Sequence, residues 1–115
     1  LFPACSISGT SIICGGPFNS GILVGREMWN YAKAPQTVIE KANALRKVAD
    51  EFNIPLAAAA LQFPQANKIV SSVIPGPRSK DELLEILKWQ KTEIPTEFWN
   101  SLKDKNLLRA DAPTP

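Results

Sequence analysis

Glycine-marked turns stand at residues 15–21, Gly15-Gly16-Pro17-Phe18-Asn19-Ser20-Gly21, and at residues 74–79, Ile74-Pro75-Gly76-Pro77-Arg78-Ser79. Each turn follows a short apolar run that predicts a buried strand, over residues 11–14 and 69–74. The second turn continues directly into a predicted helix. Turns at the carboxyl ends of strands leave backbone N–H groups free, and α/β proteins bind anionic ligands with such groups. The two turns therefore predict a binding site for an anionic cofactor.

The spacing of apolar residues predicts four helices around these strands. They begin near residues 35–37, 55, 79 and 95, so the order is strand, helix, helix, strand, helix, helix. A connection that contains helices implies parallel strands. Parallel sheets need both faces covered, and two strands do not form such a sheet alone. The predicted fold class is therefore α/β, with further strands required to complete the sheet.

Individual residues are assigned to the core or to helix ends by the same spacing. Two pairs, Thr37 with Glu40 and Ser79 with Glu82, have the spacing of a capping box. The long segment over residues 21–34 is predicted to be irregular, with Trp29 and Tyr31 as packing anchors. The predicted inward-facing residues of the last two helices are Leu83, Ile86, Leu87, Phe98, Trp99 and Leu102.

Composition narrows the range of functions. The 115 residues are enough for one domain, which we assign to residues 1–115. Lys and Arg number 13 and Asp and Glu number 11, a formal net charge of +2, and the two signs alternate along the helices. Without a basic stripe, neither nucleic acid nor an anionic membrane is an expected partner. Two cysteines and no histidine predict no metal site and a reduced, buried Cys14.

The ends of the chain add one expectation about its extent. The sequence begins at Leu1 and its single methionine is Met28, so we expect a piece of a longer polypeptide. It shows neither a secretory signal nor an apolar stretch long enough for a membrane span. Cytoplasm is the predicted location. Residues 110–115 are predicted to be a loose tail.

Three segments resemble the C-terminal part of the aldo-keto reductase family. Residues 16–23 are similar to the loop after the seventh barrel strand, most closely in the branch of sugar and pyridoxal dehydrogenases. Residues 73–79 resemble the eighth strand and the nucleotide-binding turn that follows it, and residues 93–115 resemble the ending of that branch. The resemblance implies the last two strand–helix units of a (β/α)₈ TIM barrel. It also implies that the catalytic aspartate, tyrosine, lysine and histidine lie in an N-terminal part that is absent here, so that this chain alone is inactive.

The resemblance further implies a site for NAD or NADP. Backbone amides near Phe18, Asn19 and Gly21 would hold the pyrophosphate, and the turn from Gly76 to Glu82 the adenosine end. Arg78 is the candidate for a 2′-phosphate or for stacking on adenine. The substrate implied for the complete enzyme is an aldose or a related alcohol or aldehyde. The predicted cofactor-binding residues are Gly16, Pro17, Phe18, Asn19, Ser20, Gly21, Ile74, Gly76, Arg78, Ser79 and Glu82.

The chain departs from the family pattern at three positions. Gly15 stands where many members have an aromatic residue that stacks on the nicotinamide, and Ile86 where an asparagine commonly contacts adenine. Glu82 stands where some NADP-dependent members carry an arginine. A carboxylate there would repel a 2′-phosphate and accept a hydrogen bond from a ribose hydroxyl, which slightly favours NAD.

Two other functions are compatible with the residues alone. One is an interaction or structural module without a cofactor, and the other is a general phosphate or nucleotide binder without redox chemistry. The second turn is not a Walker loop, because it lacks the Gly-Lys-Ser/Thr ending. If the chain is part of a barrel, exposed strand edges predict self-association of the isolated piece.

Overall fold

A computed structural model describes all 115 residues and shows a mixed α/β fold. The predicted strands and helices are confirmed to within a residue or two. The elements are α1 (Phe2–Ser8), β1 (Ile12–Gly15), a first 3-10 helix (Asn19–Val24), β2 (Met28–Trp29), β3 (Ala32–Lys33), α2 (Gln36–Glu51), α3 (Leu56–Gln62), a second 3-10 helix (Phe63–Ala66), β4 (Val70–Ile74), α4 (Lys80–Gln90) and α5 (Thr96–Asp104).

The central pair of strands is parallel, as predicted. β1 and β4 pair with Gly15 opposite Ile74 and Cys14 opposite Val73, with one irregularity between Ile12 and Ile13. The crossover between them contains α2 and α3, the kind of connection that parallel pairing requires. No third strand joins this pair, because β2 and β3 form a separate antiparallel hairpin. Both outer edges of the parallel pair are therefore unpaired.

The main core lies among α2, α3 and α5. Phe98 is fully buried and meets Trp99 edge to face at 4.9 Å between ring centroids. Ala59 is the one alanine of α3 that belongs to this core. The predicted inward face of α5 is confirmed. The buried residues of this core are Val48, Ala49, Ile54, Leu56, Ala59, Phe98, Trp99 and Leu102.

A second, smaller core fixes the long segment before α2. Ile22 of the first 3-10 helix packs with Ala34 and with Ala42 of α2, and the half-buried Trp29 packs against this cluster. Sequence spacing missed the 3-10 helix and the hairpin in this segment, because elements of two to six residues carry no measurable periodicity. The cluster holds the segment against α2 and so determines where its polar residues lie.

The predicted inward face of α4 is wrong in two of its three residues. Ile86 is buried, whereas Leu83 and Leu87 are about half exposed, at 45% and 49%. Gln62 of α3 donates hydrogen bonds of 2.9 Å to the carbonyls of Trp89 and Thr92, which ties the end of α4 to α3. A sheet of two strands is too narrow to cover the remaining apolar side of α4, so both leucines face solvent.

Two predictions made for the segment before and at the start of α2 are also wrong. Tyr31 is 93% exposed because it lies at the tip of the β2–β3 hairpin, with a left-handed φ of 64° that carries its ring away from the core. The Thr37–Glu40 capping box does not form. α2 begins at Gln36 behind an extended Pro35, which places Thr37 inside the first turn rather than at the cap.

The remaining features concern the surface. Cys14 is half-buried rather than buried, and it and Cys5 are free thiols. Residues 110–115 carry no helix or strand. None of the helices combines the length and the apolar character that crossing a membrane would require. The chain exposes 7553 Å² of surface, whereas a compact monomer of this mass exposes about 6,200 Å².

Candidate functional site

A cleft of about 810 Å³ brings the two glycine-marked turns together. Its walls are the loop over residues 16–21, the loop over residues 76–78 with the start of α4, and parts of α2 and α3. Ile74 and Ser79 lie beside the cleft rather than on its lining. The predicted residues that line it are Gly16, Pro17, Phe18, Asn19, Ser20, Gly21, Gly76, Arg78 and Glu82.

Parallel pairing of β1 and β4 is what places the turns side by side. Gly15 and Ile74 are partners in the register, and the Gly16 N–H donates to the Ile74 carbonyl at 3.2 Å. Both strands therefore end at the same edge, and both turns emerge there. Ile74 contributes through this backbone bond, while its side chain is 54% exposed.

The first turn has an unusual backbone. Asn19, Ser20 and Gly21 follow one another with positive φ values of 46°, 62° and 104°. Their conformation is held by the β2–β3 hairpin: Asn19 Oδ1 accepts from the Asn30 N–H at 3.1 Å, and Ser20 Oγ accepts from the Tyr31 N–H at 2.8 Å. Both side chains thus position the hairpin tip, and any contact of this turn with a ligand falls mainly to its backbone.

The second turn is organised by its capping residues. Ser79 Oγ accepts from the Glu82 N–H at 3.1 Å, which confirms Ser79 as the N-cap of α4. Glu82 departs from a standard capping box, because its Oε2 accepts from the Arg78 N–H at 2.7 Å instead of from Ser79. Its Oε1 lies 3.8 Å from Arg78 Nη2. The charges of Arg78 and Glu82 are therefore adjacent at the same wall of the cleft.

The donors and the open space at this edge fit an anionic ligand. The backbone N–H groups of Phe18 and Gly76 donate to no group of the protein, and neither do those of Lys80 and Asp81 in the first turn of α4. A Cβ added at Gly16 or Gly76 would meet no atom within 4 Å, so a ligand can approach the backbone closely. Free amides and the start of a helix both favour a negative charge.

Aromatic packing joins the two walls. The rings of Phe18 and of Trp89 on α4 form a T-shaped pair, with centroids 5.5 Å apart and an interplanar angle of 78°. Ile86 is buried and lines the cleft one turn before Trp89. Phe18 therefore links the first turn to α4 through its side chain. A ligand contact of this residue would fall to its N–H group.

Several residues that line the cleft were missed by the sequence analysis. Arg26 and Tyr31 lie in the segment predicted to be irregular, and Arg46 and Asp50 lie on the exposed side of the α2 pattern. No motif marks any of them, because folding brings their elements to the cleft from a distance. The missed lining residues with polar or aromatic side chains are Arg26, Tyr31, Arg46, Asp50, Glu85 and Trp89.

A shifted pair of ionisable groups lies away from the cleft, in the tail. Arg109 donates to both carboxylate oxygens of Asp111, at 2.9 and 2.7 Å. This hydrogen bonding lowers the pKa of Asp111 and raises the pKa of Arg109. Both side chains are largely exposed, so solvent and salt screen the pair strongly.

A second cavity of about 490 Å³ lies between β4, α3 and α4. Val70, Val73 and Leu87 contribute apolar surface, and Gln65 and Gln90 contribute amides. Those two amides are hydrogen-bonded to each other, at 3.0 and 3.2 Å. None of the predicted cofactor-binding residues lines this cavity.

Comparison with known proteins gives two kinds of match. The model of the Aldo/keto reductase family matches residues 1–107. The chain is similar to pyridoxal 4-dehydrogenase of Microbacterium luteolum, with 38% identity over 112 residues, covering 94% of this chain and 33% of the relative. It is also similar to D-threo-aldose 1-dehydrogenase of a Pseudomonas species, with 29% identity over 120 aligned positions, covering 100% of this chain and 35% of the relative. The chain thus spans about a third of the length of these relatives.

Proposed function

Because the chain belongs to the aldo/keto reductase family, we propose that it supplies the dinucleotide-binding part of an NAD(P)-dependent oxidoreductase. The observation that carries this proposal is the single cleft formed by both glycine-marked turns, with free amides at its edge. Both turns resemble the family in sequence, and both lie within the residues that the family model matches.

The two turns would bind different parts of the dinucleotide. The Phe18 N–H and the open face at Gly16 would receive the pyrophosphate, and the Gly76 N–H with the first turn of α4 would receive the adenosine end. Asn19 and Ser20 act indirectly, because their side chains hold the hairpin. When bound, the dinucleotide supplies the nicotinamide carbon that accepts or donates a hydride.

We further propose that the chain is the C-terminal part of a (β/α)₈ barrel. Support comes from the parallel pair with two open edges, the length of the relatives, and an exposed surface about 1,300 Å² above that of a compact monomer. The catalytic groups would lie in the remaining two thirds, which agrees with the absence of histidine. An isolated chain with such edges is expected to self-associate, and a monodisperse monomer in sedimentation would contradict this.

The complete enzyme is proposed to oxidise an aldose, or a related alcohol, with reduction of the corresponding aldehyde as the reverse reaction. The names of the two relatives support this substrate class. Between the two cofactors we favour NAD. The Glu82 carboxylate accepts a hydrogen bond from the Arg78 N–H and lies 3.8 Å from Arg78 Nη2. This contact leaves the Arg78 guanidinium less available to a 2′-phosphate.

The test uses the chain alone and a chimera in which residues 1–115 replace the matching third of the Microbacterium enzyme. Calorimetry with NAD and NADP is expected to show strong binding to the chimera and weak or no binding to the chain alone. The reason is that this chain would supply only part of the walls of the cofactor site in the closed barrel. Gly76→Val should weaken binding at least tenfold by filling the approach to the backbone. Ala110→Val is the control, since Ala110 is exposed and lies outside the cleft.

Two results of this binding experiment would contradict the proposed dinucleotide-binding function. A chimera that is folded, as judged by near-ultraviolet circular dichroism, and binds neither dinucleotide would contradict the cofactor assignment. Binding of ATP as strong as that of NAD by the chain alone would favour a general nucleotide-binding module without redox chemistry.

A further inference from the structure

The C-terminal end of α4 is held against α3 by the side chain of Gln62. Its Nε2 donates hydrogen bonds of 2.9 Å to the Trp89 carbonyl and of 2.9 Å to the Thr92 carbonyl. A side-chain amide has two N–H donors, so both donors of this half-buried residue are used. Carbonyls at the end of a helix lack partners within the helix. Gln62 therefore supplies donors to the end of α4 and holds the backbone of Trp89 at a fixed place.

Trp89 in turn contacts the first glycine-marked turn. Its ring forms a T-shaped pair with the ring of Phe18, with centroids 5.5 Å apart. The interaction between two aromatic rings depends on their relative orientation and distance. Phe18 is the residue that begins the first 3-10 helix. Gln62, Trp89 and Phe18 thus form a continuous series of contacts from α3 through α4 to the first turn.

The second turn is attached to the other end of the same helix. Ser79, within that turn, is the N-cap of α4, which covers the 11 residues Lys80–Gln90. The contact between Trp89 and Phe18 therefore fixes the separation of the two turns. Gln62 does not line the cleft, so its effect on a ligand there would be indirect.

We propose that Gln62 is a positioning residue for dinucleotide binding, because it holds Trp89 against Phe18 and so sets the separation of the two turns. This role rests on the proposed function, since it assumes that the cleft takes a dinucleotide. A ligand with two linked parts gains affinity when both of its sites are held at the distance that the ligand spans. A ligand that contacts one turn gains nothing from that distance. Gln62 therefore contributes to binding of the whole dinucleotide and not of its separate parts.

The experiment compares Gln62→Met with the parent chimera by calorimetry, using NAD, AMP and inorganic pyrophosphate. Methionine has a similar length and no donor. Binding of NAD should weaken about tenfold, whereas AMP and pyrophosphate, each assigned mainly to one turn, should change by less than about twofold. Gln62→Lys should restore NAD binding, because an ammonium donates to the same carbonyls and is favoured at the C-terminus of a helix. Equal weakening of all three ligands by Gln62→Met would overturn the positioning role.

Gln65→Met is the matched control. The Gln65 amide is bonded to the Gln90 side chain, at 3.0 and 3.2 Å, near the same end of α4. It lies outside the cleft lining and donates to no carbonyl of α4. This variant should bind NAD within about twofold of the parent. A loss equal to that of Gln62→Met would indicate a general loosening of α3 against α4 and contradict a specific role of Gln62.

A double-mutant cycle tests whether Gln62 acts through the ring pair. Phe18→Leu removes the contact with the ring of Trp89. Adding Gln62→Met to Phe18→Leu should weaken NAD binding no further, because both changes disturb the same contact. Losses that add in full would overturn the proposed route from Gln62 to the first turn.

The ring contact also gives a readout that requires no ligand. Nuclear Overhauser effects between Phe18 and Trp89 in the 115-residue chain should weaken in Gln62→Met and return in Gln62→Lys. Unchanged effects in Gln62→Met would overturn the positioning role. If the folded parent chimera does not bind NAD, the proposed function is contradicted, and the ring contact still decides whether Gln62 positions the turns. Equal NAD binding by the parent and Gln62→Met would support the function and overturn the positioning role.

Discussion

Replacing Gly21 by alanine should destabilise the first turn and disturb the cleft at the same time. Gly21 has φ 104° and ψ −3°, beyond the left-handed region near +57° and +47° that other residues sometimes occupy. A Cβ there would stand 2.7 Å from Arg26 Cδ and 3.0 Å from Arg26 Cβ. A rotamer change moves Cδ but cannot move Cβ, and the Arg26 N–H is bonded to the Gly21 carbonyl. The turn itself must therefore shift.

The magnitude follows from the strained backbone. An L-residue in a sparsely populated φ/ψ region costs about 1–3 kcal/mol, and the displaced Arg26 adds to this cost. We expect the free energy of unfolding to fall by about 2–3 kcal/mol, a decrease of about 1–1.5 M in the urea midpoint at an m-value of about 2 kcal/mol/M.

The assay compares urea unfolding, followed by tryptophan fluorescence, for Gly21→Ala and Gly76→Ala. Gly76 is the matched control because it lacks a positive φ and has open space for a Cβ. Its replacement should change stability by less than about 1 kcal/mol, in either direction. Equal urea midpoints for the two variants would refute the argument, since they would show that neither the conformation at Gly21 nor its contact with Arg26 constrains the turn.

Three further predictions concern the helices and the tail. Ser79→Ala removes the N-cap acceptor for the Glu82 N–H and should lower stability by about 1 kcal/mol; unchanged hydrogen exchange in the first turn of α4 would contradict the cap. Phe98→Ala removes a fully buried ring from the main core and should cost about 3–5 kcal/mol in urea unfolding, and a loss below about 1 kcal/mol would show that the site is not packed as described. The Asp111 carboxyl should titrate by NMR below its usual pKa because Arg109 donates to it. Its small contribution to stability is present above the ordinary carboxyl pKa and is lost as the pH falls through the lowered value. Arg109→Gln should restore the usual pKa, and a titration that does not respond to this change would contradict the pairing.

Much of the cleft could be predicted from local sequence. Glycine, proline and β-branched residues have strong conformational preferences of their own, which is why the ends of β1 and β4 and the N-cap at Ser79 were predicted correctly. The bond between Gly16 and Ile74 follows once two strands are parallel and end at the same level. The family resemblance then supplied the roles of the turns, which stay predictions until binding is measured.

Predictions failed where burial depends on partners distant in sequence. Leu83 and Leu87 have the spacing of a buried face, but a helix face is buried only if something covers it, and two strands cover too little. Tyr31 has an aromatic ring that favours burial, yet its place at a hairpin tip held by Ser20 keeps it exposed. Spacing along one helix contains no information about either constraint.

The sequence by itself determined the order of strands and helices, the parallel relation of β1 and β4, and the position of both turns at one sheet edge. These features depend on backbone preferences and on apolar spacing over a few residues. The tertiary structure alone decided that Arg26 lies over Gly21, that Arg46 approaches Gly25, and that Asn19 and Ser20 hold the hairpin. These contacts join residues 5 to 21 positions apart, and the packing of Ile22, Ala34 and Ala42 holds their segments together, which no local pattern encodes.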